Sequence, residues 1–110
     1  KYGMTLLSMG VQEEIKKSGV RVKTLWPATL IATAAVGLVA GEPGLAVSRK
    51  PSIMADAAWL LVSQPEAHDA KPSWLDEEVI RQAGVTDLTP YANVPSNADK
   101  IQRDFYIGQY

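Results

Sequence analysis

The chain has 110 residues, of which 46% are hydrophobic and 21% are charged, and its formal net charge is -1. This composition is typical of one folded domain, and the interleaved charges exclude the basic surface that nucleic-acid binding requires. The absence of cysteine excludes disulfides, thiolate catalysis and cysteine-based zinc sites, and a cytoplasmic location is the default expectation.

The first predicted element is a helix over residues 1–17. Gly19 follows it and is expected to end the helix in the left-handed conformation that glycine adopts without strain. Residues 20–26 then combine β-branched, basic and apolar side chains and predict a strand that ends at Pro27. The helical prediction depends on one mostly apolar stripe of residues at spacings of three and four, which are Met4, Leu7, Ser8, Val11 and Ile15.

Residues 25–40 form the most apolar stretch of the chain. Pro27 and Gly37 interrupt it, and it is shorter than the roughly 20 apolar residues that a spanning helix needs, so no membrane span is predicted. The pattern leaves residues 29–39 open between a short helix and a mobile loop. Gly41, Pro43 and Gly44 are then expected to break the chain.

A second long helix is predicted to start at Ser52, as its N-cap, and to end before Pro65. Its apolar positions cover most of its circumference, which favours burial on two sides. Residues 73–75 predict a short buried strand. Asp76 is expected to cap the brief helix that follows and that ends at Gly84.

The rest of the chain, residues 85–110, predicts an extended tail after a first region over residues 1–84. Prolines and asparagines dominate this tail, and Ile101, Phe105, Tyr106 and Ile107 form a candidate docking patch near its end. Two strands tied to helices, with no hairpin signal between them, favour a parallel α/β sheet, although two strands are too few to stand alone.

Few residues could carry chemistry if no family is considered. His68 is the only histidine, and its polar surroundings in the sequence predict a solvated surface residue rather than a base or a ligand. The neighbouring acids Glu13-Glu14 and Glu77-Glu78 point in different directions on helices and are expected to be solvated. The sequence therefore predicts no metal site, and it contains no Gly-x-Gly-x-x-Gly nucleotide loop.

Two consecutive segments carry a resemblance to a known family. The run KYGMTLLSMGVQEE, from Lys1 to Glu14, is followed by GVRVKTLWP at residues 19–27. Together they resemble the part of short-chain dehydrogenases/reductases that begins at the lysine of the Tyr-x-x-x-Lys motif and ends at a proline turn beside the nicotinamide. IATAAV at residues 31–36 and MADAAWL at residues 54–60 resemble the hydroxysteroid dehydrogenase-like branch of that family.

The resemblance implies the C-terminal portion of a Rossmann-type doubly wound parallel sheet, with its last two strands and flanking helices. It also implies an oxidoreductase that uses NAD or NADP, acts on a small hydrophobic carbonyl or alcohol, and forms a homodimer or homotetramer. The motif tyrosine and the glycine-rich cofactor loop would lie outside this chain, so the isolated chain is expected to be inactive. The alternative is a non-catalytic half-fold that acts as a self-association or interaction module.

The resemblance also implies five site residues. Lys1 is the expected catalytic lysine, which would lower the pKa of the tyrosine and bind the nicotinamide ribose. Pro27, Ala28, Thr29 and Thr33 are expected at the nicotinamide, with Thr33 preferred to Thr29 as the hydroxyl that fixes the carboxamide. An ordinary capping role is the alternative for both threonines.

Three places depart from the family pattern, one of which is the pair Ala70-Lys71, which stands where a Thr-Gly commonly leads into the last strand. Ala28 stands where a glycine is common in the proline turn, and Lys23 stands where an asparagine is common in the strand. The alanine at position 28 affects how closely the backbone can approach the cofactor. The lysine at position 23 affects a hydrogen bond inside the protein.

Overall fold

The structure is a computed structural model that describes residues 1–107. Residues 108–110, the end of the predicted tail, lie outside the described residues. Over the described range, no helix has the length and apolarity needed to cross a membrane. The main elements in chain order are α1 (Tyr2–Ile15), β1 (Thr24–Trp26), α2 (Ala34–Ala46), α3 (Ser52–Ser63), β2 (Ser73–Leu75) and α4 (Asp76–Gln82). Single turns of 3-10 helix occur at Lys16–Ser18, Pro65–His68, Thr89–Tyr91 and Pro95–Asn97.

The two strands pair in parallel, which confirms the predicted α/β class. Leu25 lies opposite Trp74, and Trp26 lies opposite Leu75. The N–H of Thr24 donates to the carbonyl of Pro72 at 3.0 Å and opens the ladder. Because parallel strands must be joined by a crossover, the chain between them forms α2 and α3.

The strand predicted over residues 20–26 is wrong in its first half, because only Thr24–Trp26 is extended in the ladder. The side-chain amide of Gln12 on α1 donates to the carbonyl of Val20 at 3.3 Å and accepts from the N–H of Val22. These backbone groups therefore bind a helix side chain instead of a neighbouring strand. The left-handed Gly19 is confirmed, with φ of 80°.

The start of α3 differs from the prediction that Ser52 caps it. Pro51 occupies the N-cap position, already has helical dihedral angles and forms no side-chain capping bond. The N–H groups of Ile53 and Met54 instead donate to the carbonyls of Lys50 and Pro51, at 3.2 and 3.1 Å. A turn of backbone thus satisfies the donors for which a serine hydroxyl was expected.

α2 resolves the alternative left open for residues 29–39. A helix begins at Ala34 and continues to Ala46, but Gly41 interrupts it with φ of 61° and ψ of -164°. A residue with a Cβ rarely adopts this conformation, so the glycine permits the change of direction. The predicted break at Gly41 is therefore a kink inside the element.

The core lies between the sheet, α3, α4 and the chain that follows α4. The prediction that α3 is buried on two sides is wrong within residues 1–107, because Trp59 and Val62 are mostly exposed. One face of α3 supplies the buried Ile53 and Ala57. The buried cluster contains Ile53, Ala57, Trp74, Val79, Ile80 and Leu88.

The end of the tail docks through its backbone, whereas Leu88 near its start packs in the buried cluster. The N–H of Leu30 donates to the carbonyl of Gln102 at 2.9 Å, and the N–H of Asp104 donates to the carbonyl of Ala28 at 3.1 Å. Phe105 and Tyr106, which were expected to dock, are mostly exposed. Hydrogen bonds rather than apolar contacts therefore hold the end of the tail near the sheet.

Arg49 joins three distant segments. Its backbone N–H donates to the carbonyl of Leu30 at 2.8 Å, and its guanidinium donates to Glu77 at 2.9 Å and to the carbonyl of Leu88 at 3.1 Å. The side chain of Glu77 is only 19% exposed, so its prediction as a solvated acid is wrong. Sequence alone could not supply its partner, because Arg49 is 28 residues away.

Replacing Arg49 with methionine should lower the free energy of unfolding by about 3 kcal/mol, because the mostly buried Glu77 loses its closest cation and, among the described residues, keeps only Arg81, at 4.0 Å. Lys16→Met is the matched control. It removes an ion pair with Glu13 whose side chains are 57% and 73% exposed, and it should change stability by less than about 0.5 kcal/mol. Urea unfolding of the intact protein measures both variants, and equal losses would contradict this ranking.

Candidate functional site

The candidate site lies where the two parallel strands end. β1 ends at Trp26 and runs into Pro27 and Ala28, and β2 ends at Leu75 and runs into Asp76. Because the strands are parallel and in register, both exits lie at the same edge of the sheet. Ligands of open α/β sheets bind outside this carboxyl edge, so the Pro27 turn occupies the position expected of a site.

A cleft of about 320 Å³ opens beside this turn. Lys1 reaches it from the start of α1, and Pro27 reaches it from the end of β1. The structure thus brings together two of the five site residues that the resemblance implies, although 25 residues separate them in the sequence. The cleft is lined by Lys1, Met4, Thr5, Thr24, Leu25, Trp26, Pro27, Asp104 and Tyr106.

Trp26 also lines this cleft. Its indole N–H donates to the hydroxyl of Thr5 at 2.8 Å. Thr5 is the buried residue of α1, and this bond fixes the helix against the strand. The position of Lys1 relative to the Pro27 turn therefore depends on a strand–helix hydrogen bond close to both.

Ala28 is held from both sides of its backbone. Its N–H donates to Oδ1 of Asp76 at 2.8 Å, and its carbonyl accepts from the N–H of Asp104 at 3.1 Å. The residue is buried, so the methyl group that replaces the family's common glycine fits inside the protein. Ala28 therefore shapes the turn, while Pro27 reaches the cleft.

The two predicted threonines lie in different surroundings. Thr29 is buried and its hydroxyl donates to the carbonyl of Leu30 at 3.3 Å. Thr33 is exposed and caps α2, since its hydroxyl accepts from the N–H of Val36 at 3.4 Å. Neither threonine is among the described residues that line the 320 Å³ cleft. Their roles at the nicotinamide stay predictions.

Asp76 occupies a different position in α4 from the one that the sequence predicted. It was expected to cap α4, but Leu75 occupies the N-cap position and Glu78 accepts from its N–H at 2.9 Å. Asp76 is the first helical residue and is fully buried. Its Oδ1 accepts from the N–H groups of Ala28 and Glu77, and its Oδ2 has no partner among the described residues. The available sequence signal for its burial was that this acidic residue directly follows an apolar strand.

The environment of His68 also differs from the one that its neighbours in the sequence predicted. It is only 2% exposed, its Nδ1 lies 2.8 Å from the carbonyl of Gln64, and its ring packs edge-on against Trp74 with 5.1 Å between centroids. The prediction of a solvated histidine is therefore wrong. Its contacts are those of a satisfied core residue, and it lies outside the cleft lining.

Lys23, another departure from the family pattern, also bonds inside the protein. Its ammonium donates to the carbonyl of Lys71 at 3.2 Å and lies 3.8 Å from Asp69. The lysine thus links the approach to β1 with the approach to β2. It supplies an internal hydrogen bond at the position where the family commonly has an asparagine.

Comparison with known sequences places these features in context. No protein-family model matches the chain. It is similar to hydroxysteroid dehydrogenase-like protein 2 of Xenopus tropicalis, with 36% identity over 109 residues, and of Homo sapiens, with 34% identity over 111 residues. The alignments include 99% and 100% of this chain but 25% of each relative. The chain therefore spans about a quarter of the length of these relatives.

Solved structures agree with the sequence comparison. A crystal structure of a short chain dehydrogenase from Mycobacterium thermoresistibile has a TM-score of 0.79 at 40% identity, and covers 98% of this chain and 38% of its own. A candidate dehydrogenase from Xanthomonas campestris has a TM-score of 0.82 at 39% identity, with 97% and 38% covered. The predicted resemblance to the C-terminal part of short-chain dehydrogenases, and the predicted Rossmann-type fold, are confirmed.

The stability of the protein should depend on pH through Asp76. Burial raises the pKa of this carboxyl above its ordinary value of 3.8. The native state then keeps a proton that the unfolded chain has lost, so this residue lowers stability as pH rises from about 3.8 through the raised pKa. Asn at this position cannot titrate. The unfolding free energy of the wild type minus that of Asp76→Asn should therefore fall over this range.

Urea unfolding of both proteins at several pH values tests this expectation. Asp99→Asn, which changes an exposed carboxyl, is the control for the loss of one charge. A difference between the wild type and Asp76→Asn that stays constant with pH would contradict the linkage to burial.

Proposed function

We propose that this chain forms the nicotinamide-facing part of an oxidoreductase that uses NAD or NADP to interconvert a carbonyl and an alcohol. The observation that carries the proposal is the meeting of Lys1 and Pro27 in one cleft at the carboxyl edge of the parallel sheet. The relationship to short-chain dehydrogenases supports it. The bound cofactor would supply the chemistry of hydride transfer to or from the substrate.

Lys1 is the proposed catalytic residue of this chain. An ammonium group carries three hydrogen-bond donors and no acceptor, which suits the hydroxyls of a nicotinamide ribose. Its positive charge would also stabilise the phenolate of a nearby tyrosine and so lower the pKa of that tyrosine. The cleft offers room beside Pro27 for such a group, so the residues present fit the cofactor.

The walls around this edge favour a hydrophobic substrate. Met4, Leu25 and Trp26 line the cleft. On α2, Leu38 and Val39 are exposed and could cover an apolar molecule. Burial of apolar surface is the main source of affinity in such pockets, so a small hydrophobic carbonyl or alcohol is the proposed substrate. We further propose that this chain needs a tyrosine and a glycine-rich loop from elsewhere and is inactive in isolation.

Lys1→Ala in the intact protein should lower kcat/KM for NAD(P)H oxidation by at least about 100-fold, the lower range for a group that assists proton transfer. The assay uses a panel of aldehydes and ketones. Lys17→Ala, which removes an exposed lysine beyond the other end of α1, should keep normal activity. Normal activity of Lys1→Ala would reject the role of Lys1.

Self-association is a second candidate function, and α1 favours it. The helix exposes a set of large apolar side chains, which are Tyr2, Met4, Leu6, Leu7 and Met9. Exposed apolar patches of this kind mark association surfaces in many proteins. A homodimer or homotetramer formed through α1 is compatible with the enzymatic proposal, and a non-catalytic interaction module would use the same surface.

A cytoplasmic location remains a prediction.

Leu7→Glu should reduce the molecular mass of the intact protein in light scattering, because it places a charge in the proposed contact. Leu7 does not line the 320 Å³ cleft, so the substitution leaves the wall of that cleft intact. Glu14→Lys, a change of charge on the same helix, is the control and should leave the mass unchanged. An unchanged mass for Leu7→Glu would exclude association through α1. A wild type that associates but oxidises NAD(P)H with none of the substrates would favour the non-catalytic module.

A further inference from the structure

We propose that Asp76 is a positioning residue that orients the Pro27 turn toward the nicotinamide by holding the backbone N–H of Ala28. The inference rests on the proposed function, because it assigns the turn to the cofactor. Asp76 itself lies outside the cleft lining and would act only through Ala28. It would therefore affect how the nicotinamide is held and would have no direct contact with it.

The contact is specific in its geometry. Asp76 and Ala28 are 48 residues apart, and Oδ1 accepts from the Ala28 N–H at 2.8 Å. The Asp104 N–H binds the other side of Ala28, at its carbonyl. Among the described residues, Asp76 supplies the side-chain contact to this backbone, so its removal would free one side of the peptide. Pro27 immediately precedes Ala28 and would move with it.

The buried carboxyl of Asp76 lowers the stability of the protein, which a purely structural role does not explain. Its side chain is fully buried, and Oδ2 finds no hydrogen-bond partner among residues 1–107. An unsatisfied buried polar atom lowers stability, and an apolar residue would avoid that cost. Residues that break local rules of stability are expected at functional sites. The competing explanation is that Asp76 only stabilises the start of α4, where it binds the N–H of Glu77 at 2.7 Å.

Ligand binding to the intact protein separates these explanations. The two ligands are NAD(P)H and the matching ADP-ribose, which lacks the nicotinamide. In Asp76→Ala, the dissociation constant of NAD(P)H should rise about tenfold, as expected for the loss of one hydrogen bond to a charged group. The dissociation constant of the ADP-ribose should stay within about twofold, because the turn does not face that part of the cofactor.

Asp76→Asn is the matched variant. An asparagine can keep an oxygen acceptor for Ala28, so it should preserve most of the preference for NAD(P)H over the ADP-ribose. Asp76→Ser is the second variant if Asp76→Ala does not fold. Its short polar side chain lacks the carboxylate oxygen that reaches Ala28, so it should show the selective loss.

Each remaining outcome decides against a specific claim. Equal weakening of both ligands, or no weakening of either, would overturn the positioning role of Asp76. A wild type that binds neither ligand would reject the proposed function itself. A wild type that prefers NAD(P)H to the ADP-ribose, with the same preference in Asp76→Ala or Asp76→Ser, would reject only this inference.

Discussion

The parallel register of β1 and β2 is the constraint on which the candidate site depends. Trp26 lies opposite Leu75, so the two strands release the chain at the same edge, and the backbone of Ala28 meets the side chain of Asp76. A slip of the register along the ladder would separate these groups. The short sheet thus does more than pair backbone groups, because its register places a buried acid next to the turn through which Pro27 reaches the cleft.

Hydrogen bonds between distant segments complete the support for this turn. The chain after Ala28 is bound on one side by Gln102 and on the other by Arg49, both through Leu30. Arg49 in turn binds Glu77, the residue that follows Asp76. The turn, α4 and the tail therefore form one connected polar network. Hydrogen bonds in such a network are stronger where they are shielded from water, as they are at the buried Arg49 and Asp76.

Much of the fold could be predicted from local patterns, and the site only in part. Helical periodicity and Gly19 predicted α1 and its end, and residues 73–75 predicted β2, because these signals are contained in neighbouring residues. The environment of Asp76 depends on Ala28, which lies 48 residues away, so no local pattern contains it. His68 is buried by contacts with Gln64 and Trp74, which are near it in the chain, but its polar neighbours in the sequence gave no sign of this burial. The meeting of Lys1 with Pro27 was implied by family resemblance and not by spacing.

The alanine at position 28 illustrates how the structure accommodates a departure from the family pattern. A glycine is needed where the backbone has positive φ or where a ligand would collide with a Cβ. Within residues 1–107, positive φ occurs only at glycines, so Ala28 adopts a conformation open to any residue. Its methyl group is buried in the protein, and its N–H is fixed by Asp76. The side chain of Asp76 can therefore fix the shape of this turn. The turn does not require the flexibility of glycine.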